Sequence, residues 1–426
     1  MSLSNQTLKN KILTSSIIGN ALEFYDFTLC GVFITILARE FFQSTNENNV
    51  LWGFFAFSAA FWTRPLGAFV FGYIGDKYGR KVALTWSLAL MGVPTFIISI
   101  LPSYGSIGII APIILIICRM LQGLCAGGEF NGAAIFALEH LKAKPGLISG
   151  VLISSCTVGS LVAMFIAFLT TQEWMPEWAW RTSFAFGSLV SVAGFIIRRH
   201  TVESVEFLQA KTLVTITPLA TVWHEDKNSF FLAMSTGLIN GVLSYTLFSF
   251  SCVYLTKYMG YTLSQGIFYH LFGVITHMCL CPLFGGLSDQ ISPKNSLKLA
   301  GRLSLFIPAI SFFLFQINTG LSIIVGQVLL GVLVASFGGP GHYFLQTLFP
   351  TKNRYTGASL GFTIGMAITG GTTPLLLTYL LNVQSSHYVA AAYLSVWGLL
   401  WLCALGYFHP KIKLHYKSKK IMKRAA

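Results

Sequence analysis

Residues 19–27, "GNALEFYDF", put two carboxylates, Glu23 and Asp26, inside an apolar stretch running from Ile12 to Ala38. That stretch is long enough to cross a bilayer. An ionised acid near the bilayer centre costs about 2.5–3.5 kcal/mol on insertion scales. Glu23 and Asp26 lie three apart, so a helix presents them on one face, and Asn20 shares that face. A second apolar stretch, "CRMLQGLCAGGEFNGAAIF", carries Arg119, Gln122, Glu129 and Asn131. An arginine in hydrocarbon demands a partner, and a carboxylate of the first stretch is the expected one. Gly123, Gly127, Gly128 and Gly132 supply small residues that let helices approach closely.

Such groups either fasten helices together or carry a proton and a substrate. The second chemistry needs little machinery. A buried carboxyl keeps its proton until an arginine approaches, so a motion that moves the arginine switches proton binding. The driving term is about 2.3 kcal/mol per charge per 100 mV of membrane potential.

The elements that position these groups follow from composition. The 426 residues are 54% hydrophobic and only 10% charged, with a mean hydropathy of +0.68, against about 25% charged in soluble domains. The chain therefore reads as an all-α integral membrane protein; its long continuous apolar runs exclude a β-barrel. Twelve spans are predicted: 12–38, 50–74, 82–101, 107–128, 148–170, 180–200, 229–257, 264–286, 297–317, 320–341, 355–381 and 387–408. They divide into a bundle over 1–200, a linker over 201–228, a second bundle over 229–410 and a basic tail over 411–426. The first apolar stretch is too long for the core of a signal peptide. The eight cysteines read as small buried hydrophobes, with no metal-ligand spacing.

With both termini on one side, the loops and tail of that side collect 23 Lys and Arg; the other side has Arg39, Arg181 and Lys257. This asymmetry predicts cytoplasmic termini. It also accounts for the net charge of +14 without invoking nucleic acid. The tail, "KIKLHYKSKKIMKRAA", is expected to rest on anionic lipid.

A repeat supports the six-plus-six division. "GYIGDKYGRK" (72–81) and "GGLSDQISPK" (285–294) align with Asp76 over Asp289, half the chain apart. Gly72 and Gly79 permit close approach and a tight turn. Asp76 can cap a helix start and pair with Arg80 at a seam that breaks and reforms. In the second copy Ser292 and Pro293 replace the glycine and the arginine. His270 and His277 share one face of the eighth span, and His342 and Tyr343 follow a "GGPG" break ending the tenth. These four are candidates for lining a cavity. "GGTTP" (370–374) reads as a helix break.

"GNALEFYDF", "RPLGAFVFGYIGDKYGRK", "LPSYGSIGIIAPIILIICRMLQGLCAGGEFNGAA" and "FPTKNRYTGASLG" together resemble the metabolite:proton symporters of the major facilitator superfamily, nearest the proline/betaine type. The group also includes α-ketoglutarate, citrate and shikimate transporters. The likeness covers most of 12–210 and resumes at 340–381. It implies two six-helix bundles, alternating access and proton-driven uptake at a bacterial inner membrane. It places Glu23, Asp26, Arg119 and Glu129 on the family's membrane charges and gives Asp76 and Arg80 the latch role. Thr347 stands where the family has a glutamate, Phe362-Thr363 where it has Tyr-Asn, and "AKPG" (143–146) where it has a basic run. The tail lacks the coiled-coil extension of osmosensing members.

The function expected is proton-coupled import of a small polar metabolite, an amino acid or betaine or an organic acid, by a monomer that needs no cofactor beyond the proton. Glu23, Asp26, Arg119, Glu129, Asn20 and Gln122 are its coupling and substrate candidates. An exporter of the same fold (metabolite, siderophore or drug) is the alternative. A non-transporting sensor would need an attached signalling domain, and no nucleophile–base set or metal spacing suggests an enzyme.

Overall fold

Backbone in hydrocarbon must satisfy its own hydrogen bonds, which leaves the helix as the solution for a chain with such long apolar runs. In the computed structural model, residues 5–42, 49–210, 218–384 and 386–412 are described, and no strand occurs among them. The basic tail from residue 413 lies outside the described residues.

Helices run in chain order as α1 (Asn5–Val32), α2 (Ile34–Phe41), α3 (Asn49–Lys77), α4 (Arg80–Ile100), α5 (Tyr104–Ile107), α6 (Ile110–His140), α7 (Pro145–Thr170) and α8 (Trp180–Arg199). Short helices α9 (Val205–Ala210) and α10 (Pro218–Glu225) follow. Next come α11 (Lys227–Tyr245), α12 (Ser251–Val253), α13 (Leu263–Ile291), α14 (Pro293–Ile317), α15 (Gly320–Leu348), α16 (Arg354–Gly370), α17 (Thr372–Val383) and α18 (Tyr388–Phe408). Ten spans among the described residues are long and apolar enough to cross a membrane, and the α1–α2 pair, bent by 66°, makes an eleventh. The 29-residue α3 covers the second predicted span, 50–74. The seventh span runs from Lys227 to Tyr258, α11 continuing through π-helical turns at Thr246–Phe250 and Tyr254–Tyr258.

The chain folds as two compact units. The first comprises Met1–Leu141 and Leu152–Leu208; the second comprises Lys142–Val151 and Gln209–Ala426, so the start of α7 groups with the second unit. In the first unit, glycines set the helix spacing. A Cβ on Gly67 would lie 1.8 Å from the Leu124 carbonyl oxygen, and one on Gly127 2.0 Å from that of Arg64, which brings α3 and α6 into backbone contact. Tyr25, Leu29, Phe33, Phe41, Trp180 and Phe184 belong to one buried, largely aromatic core. Trp62, Phe165, Phe168 and Leu189 are exposed, as apolar side chains on a membrane-facing surface would be. In the second unit the same device joins α11 to α16 through Gly237 and Gly365, and α13 to α15 through Gly331.

The repeat is visible in the backbone. Gly79, between α3 and α4, has φ +128°, and its counterpart Ser292, between α13 and α14, has φ 81° although it is not glycine. Ser292 compensates by capping α14, accepting from the Asn295 N–H, with Pro293 at the first helical turn.

Four sequence expectations change here. Residues 338–341 do not end the tenth span: α15 passes through them, with Pro340 inside it. Neighbouring glycines let α13 press against this stretch (a Cβ on Gly339 would lie 2.5 Å from the Cys281 carbonyl), and Ser149 Oγ donates to the Gly339 carbonyl at 2.6 Å. Packing thus holds the helix through the proline. Asp76 lies in the last turn of α3 and pairs with Arg80, whereas the α4 start is capped by Glu203, which accepts from the Lys81 N–H at 3.0 Å. Of the cysteines, Cys279 and Cys403 are exposed and Cys252 half-buried; the other five are buried. At "GGTTP" α16 and α17 are separated only at Gly371, whose backbone stays helical (φ −73°, ψ −29°), so Arg354–Val383 runs as one span rather than breaking.

Gly127→Val tests the spacing argument. It forces α3 off α6, and overpacking of this kind costs about 1–3 kcal/mol, occasionally more. Thermal unfolding of the purified protein in detergent should show a clear loss of stability, while Gly371→Ala, where a Cβ meets nothing within 4 Å, should not.

Candidate functional site

The acids of α1 meet two arginines inside the first unit. Glu23 and Asp26 are each 1% exposed and Asn20 is fully buried, so the shared face predicted from spacing points inward. Arg64 of α3 donates from Nη2 to Glu23 Oε1 at 3.2 Å. Its guanidinium lies 4.8 Å from the Phe27 ring centroid and 5.3 Å from that of Phe61. Aromatic faces thereby replace part of the hydration the cation has lost.

Arg119 does not take a carboxylate directly, as the sequence reading expects. Its Nη1 donates to Gln122 Oε1 at 2.7 Å. Gln122 Nε2 in turn donates to Thr95 Oγ1 at 2.9 Å, and the Thr95 hydroxyl donates to Asp26 Oδ2 at 2.6 Å. Donor and acceptor directions agree along the whole chain, so Arg119 is coupled to Asp26 through two neutral side chains. Phe27 and Phe57 flank the Arg119 guanidinium at 5.5 and 5.6 Å. Asn20 makes only a long contact, Nδ2 to the Leu152 carbonyl at 3.5 Å.

Glu129 belongs to a separate cluster. Its Oε1 accepts from Arg198 Nη1 at 2.6 Å and its Oε2 from Ser87 Oγ at 2.7 Å. Arg198 also donates to the carbonyls of Leu84 and Ser15. Every oxygen of this carboxylate is occupied. Arg198 reads in the sequence as a loop cation at the end of the sixth span; the structure buries it completely. Thr95, Arg64 and Arg198 are thus the members of the site that pattern reading passes over. Arg64 alone leaves a signal, as a cation inside an apolar run.

At the α3–α4 corner Arg80 pairs with Asp76 at 3.1 Å and Glu139 at 3.4 Å, all fully or almost fully buried. Gly72 is buried in the last turns of α3, and a Cβ on Gly79 would lie 2.2 Å from Glu203 Oε2. Burial pushes the Glu203 carboxyl above its ordinary range, opposed by the Ser204 and Lys81 N–H groups and by Arg80. In the second unit Asp289 accepts from the Gly146 N–H at 2.7 Å and the Leu147 N–H at 3.0 Å, placing a carboxylate on the first turn of α7. His270 hydrogen-bonds Ser251 Oγ at 3.0 Å, and His277 contacts Cys281 Sγ at 3.3 Å. His342 and Tyr343 are buried, and the Tyr343 N–H donates to Ser149 Oγ. These four cavity candidates are distributed over two helices of the second unit, α13 and α15. Among the described residues no cluster of His, Cys, Asp and Glu could hold a metal.

The Glu129–Arg198 pair yields a stability prediction. Removing one partner of a buried pair costs about 3–5 kcal/mol, whereas replacing both with apolar residues is often neutral. Glu129→Met and Arg198→Met should each destabilise the purified protein strongly in chemical unfolding, and the double variant should recover most of the loss.

A family model of the Major Facilitator Superfamily matches residues 16–364. The proline/betaine transporters of Salmonella typhimurium and Escherichia coli are each 30% identical, the alignments covering 92% of this chain and 82% of each relative. A putative proline/betaine transporter of Staphylococcus aureus is 29% identical over 94% of this chain and 88% of its own. Among solved structures, the proton:xylose symporter XylE bound to 6-bromo-6-deoxy-D-glucose superposes with a TM-score of 0.77 at 15% identity, over 96% of this chain and 97% of that one. XylE from E. coli in a partially occluded inward open conformation gives 0.65 at 14% identity, over 97% and 100%. The twelve helices, the repeated loop and these matches agree: this chain belongs to the Major Facilitator Superfamily, a family of membrane transporters rather than enzymes.

Proposed function

We propose that the protein imports a small zwitterion of the proline/betaine class together with a proton, by alternating access across a bacterial inner membrane. The observation that carries this reading is the site of Glu23, Asp26, Arg64 and Arg119, buried in one unit and closed by the Gln122–Thr95 chain. Two acids and two fixed cations balance when both acids are ionised. Taking up one proton leaves the site with a net positive charge, an imbalance that a change of conformation can answer. The names of the relatives support the zwitterion. The excess of Lys and Arg on one side supports cytoplasmic termini and the inner membrane. The basic tail then faces anionic lipid.

In this reading Glu129 is a fastener held by Arg198, and the coupling role rests with Glu23 and Asp26. Asp76 with Arg80, and Asp289 on the start of α7, act as latches that open and close during the cycle. Asp289→Asn should slow uptake severalfold while leaving substrate affinity in the purified protein nearly unchanged; an unaltered rate would remove Asp289 from the cycle.

Purified protein in proteoliposomes tests the whole reading. One coupled charge under 100 mV supplies about 2.3 kcal/mol, enough to sustain a roughly 50-fold concentration ratio. Under an inward proton gradient and an inside-negative potential, labelled proline or betaine should accumulate, and a protonophore should abolish the accumulation. Glu23→Gln or Asp26→Asn should bring the ratio close to unity while exchange of labelled for unlabelled substrate persists. Accumulation that ignores both substitutions would refute the coupling assignment.

A further inference from the structure

The acid–arginine site borders a small, partly open cavity lined by Glu23, Asp26, Arg64, Arg119, Gln122 and Ala126, among others, which leaves about 10 Å³ for the centre of a water molecule. That is about the least room that holds one water. The charged residues lining it hold five side-chain atoms that are buried and have no protein partner: Glu23 Oε2, Asp26 Oδ1, Arg64 Nε, and Arg119 Nε and Nη2. Two are anionic acceptors and three are cationic donors.

This mixture selects its occupant. A bare cation suits the carboxylates but meets two guanidinium groups. A bare anion suits the guanidinium groups but meets two carboxylates. A neutral molecule that both donates and accepts satisfies both sets, and at this volume that molecule is water. A zwitterion of the proline class is several times too large.

We infer that this cavity is the seat of a single structural water that bridges Glu23 and Asp26 and relays the proton between them, and that the transported metabolite never enters it. The inference rests on the coupling role proposed above. The water donates to Glu23 Oε2 and Asp26 Oδ1 and accepts from Arg119. In the relay, the protonated acid gives its proton to the water oxygen as one of the water's own protons passes to the other carboxylate. One O–H bond breaks and one forms at each transfer, the water is regenerated, and nothing is oxidised or reduced. The charged groups facing it are Arg64 from α3 and Arg119 from α6. Glu129 stands beyond, saturated by Arg198 and Ser87. Separate seats for proton and metabolite follow, so proton chemistry can be blocked with the substrate seat intact.

An experimental map of the full chain at a resolution that shows ordered solvent tests the water directly. It should show one peak within hydrogen-bond distance of Glu23, Asp26 and Arg119; an empty cavity, or a peak that bromide or rubidium replaces with an anomalous signal, overturns the inference. This measurement does not depend on transport, so it stands apart from a failure of the parent chain to accumulate any zwitterion. Ala126→Val tests the relay by filling the cavity without touching a charge. The initial rate of proton-driven uptake should fall about a hundredfold, the low side of what a positioned proton-transfer group contributes, while substrate exchange stays within about twofold. An unchanged uptake rate, or exchange that falls in step with it in a variant whose unfolding temperature matches the parent, refutes the relay. If valine prevents folding, the smaller Ala126→Cys is read by the same two assays and the same criteria.

Discussion

A charge buried in hydrocarbon has to be answered by a neighbour, because the bilayer offers no water to answer it. In the first unit Glu23, Asp26 and Glu129 face Arg64, Arg119 and Arg198, and all six side chains are nearly or fully buried. The helix packing serves this requirement. Gly19 has no room for a side chain because Glu129 and Arg198 occupy it: a Cβ there would lie 2.1 Å from Glu129 Oε1. Gly123 and Gly127 draw α6 onto α3, and so bring Arg119 and Arg64 to the same level as the α1 acids. Glycine supplies no charge here, yet without it the charges could not meet.

The two acid–arginine clusters differ in how completely they are satisfied. At Glu129 both carboxylate oxygens are taken, and Arg198 has two carbonyls besides. Such a network resists change, since moving any member strands another. Around Glu23 and Asp26 each carboxylate has one oxygen engaged and one buried without a hydrogen-bond partner, and both residues line a small polar cavity. A group that is to take up and release a proton needs that freedom. Glu129 is thus fastened, whereas Glu23 and Asp26 keep the freedom that the proposed coupling role requires, although sequence reading grouped all three together.

The helices, their number and the half-chain repeat were legible because each depends on local composition and spacing. The inward face of α1 was legible for the same reason. Partner choice was not. Arg119 and Arg64 are both intramembrane arginines, and which one reaches Glu23 depends on the crossing of α3 and α6, a property of no single segment. Arg198 was not singled out because it ends an apolar run beside Arg199, where loop cations usually sit; only tertiary packing turns it inward. Pro340 misled in the opposite direction. A local breaker was overruled by close packing against α13 and by Ser149, 190 residues away.

The repeated loop shows how one backbone can be kept while its chemistry changes. Gly79 and Ser292 occupy equivalent positions, and both adopt a positive φ. In the first copy Asp76 is held by Arg80, which also binds Glu139. In the second copy Pro293 stands in place of that arginine, so no guanidinium follows the turn to claim Asp289. Both Asp289 oxygens instead accept backbone N–H groups at the start of α7, where the exposed N–H groups and the helix dipole favour a negative charge. What looks in the sequence like decay of a motif is therefore a division of labour. One aspartate is held by an ion pair at its corner, and the other is released to bind a helix end. A carboxylate held by two backbone N–H groups has no fixed counter-charge to abandon when it lets go, so this contact can open at lower cost than the buried ion pair of the first copy.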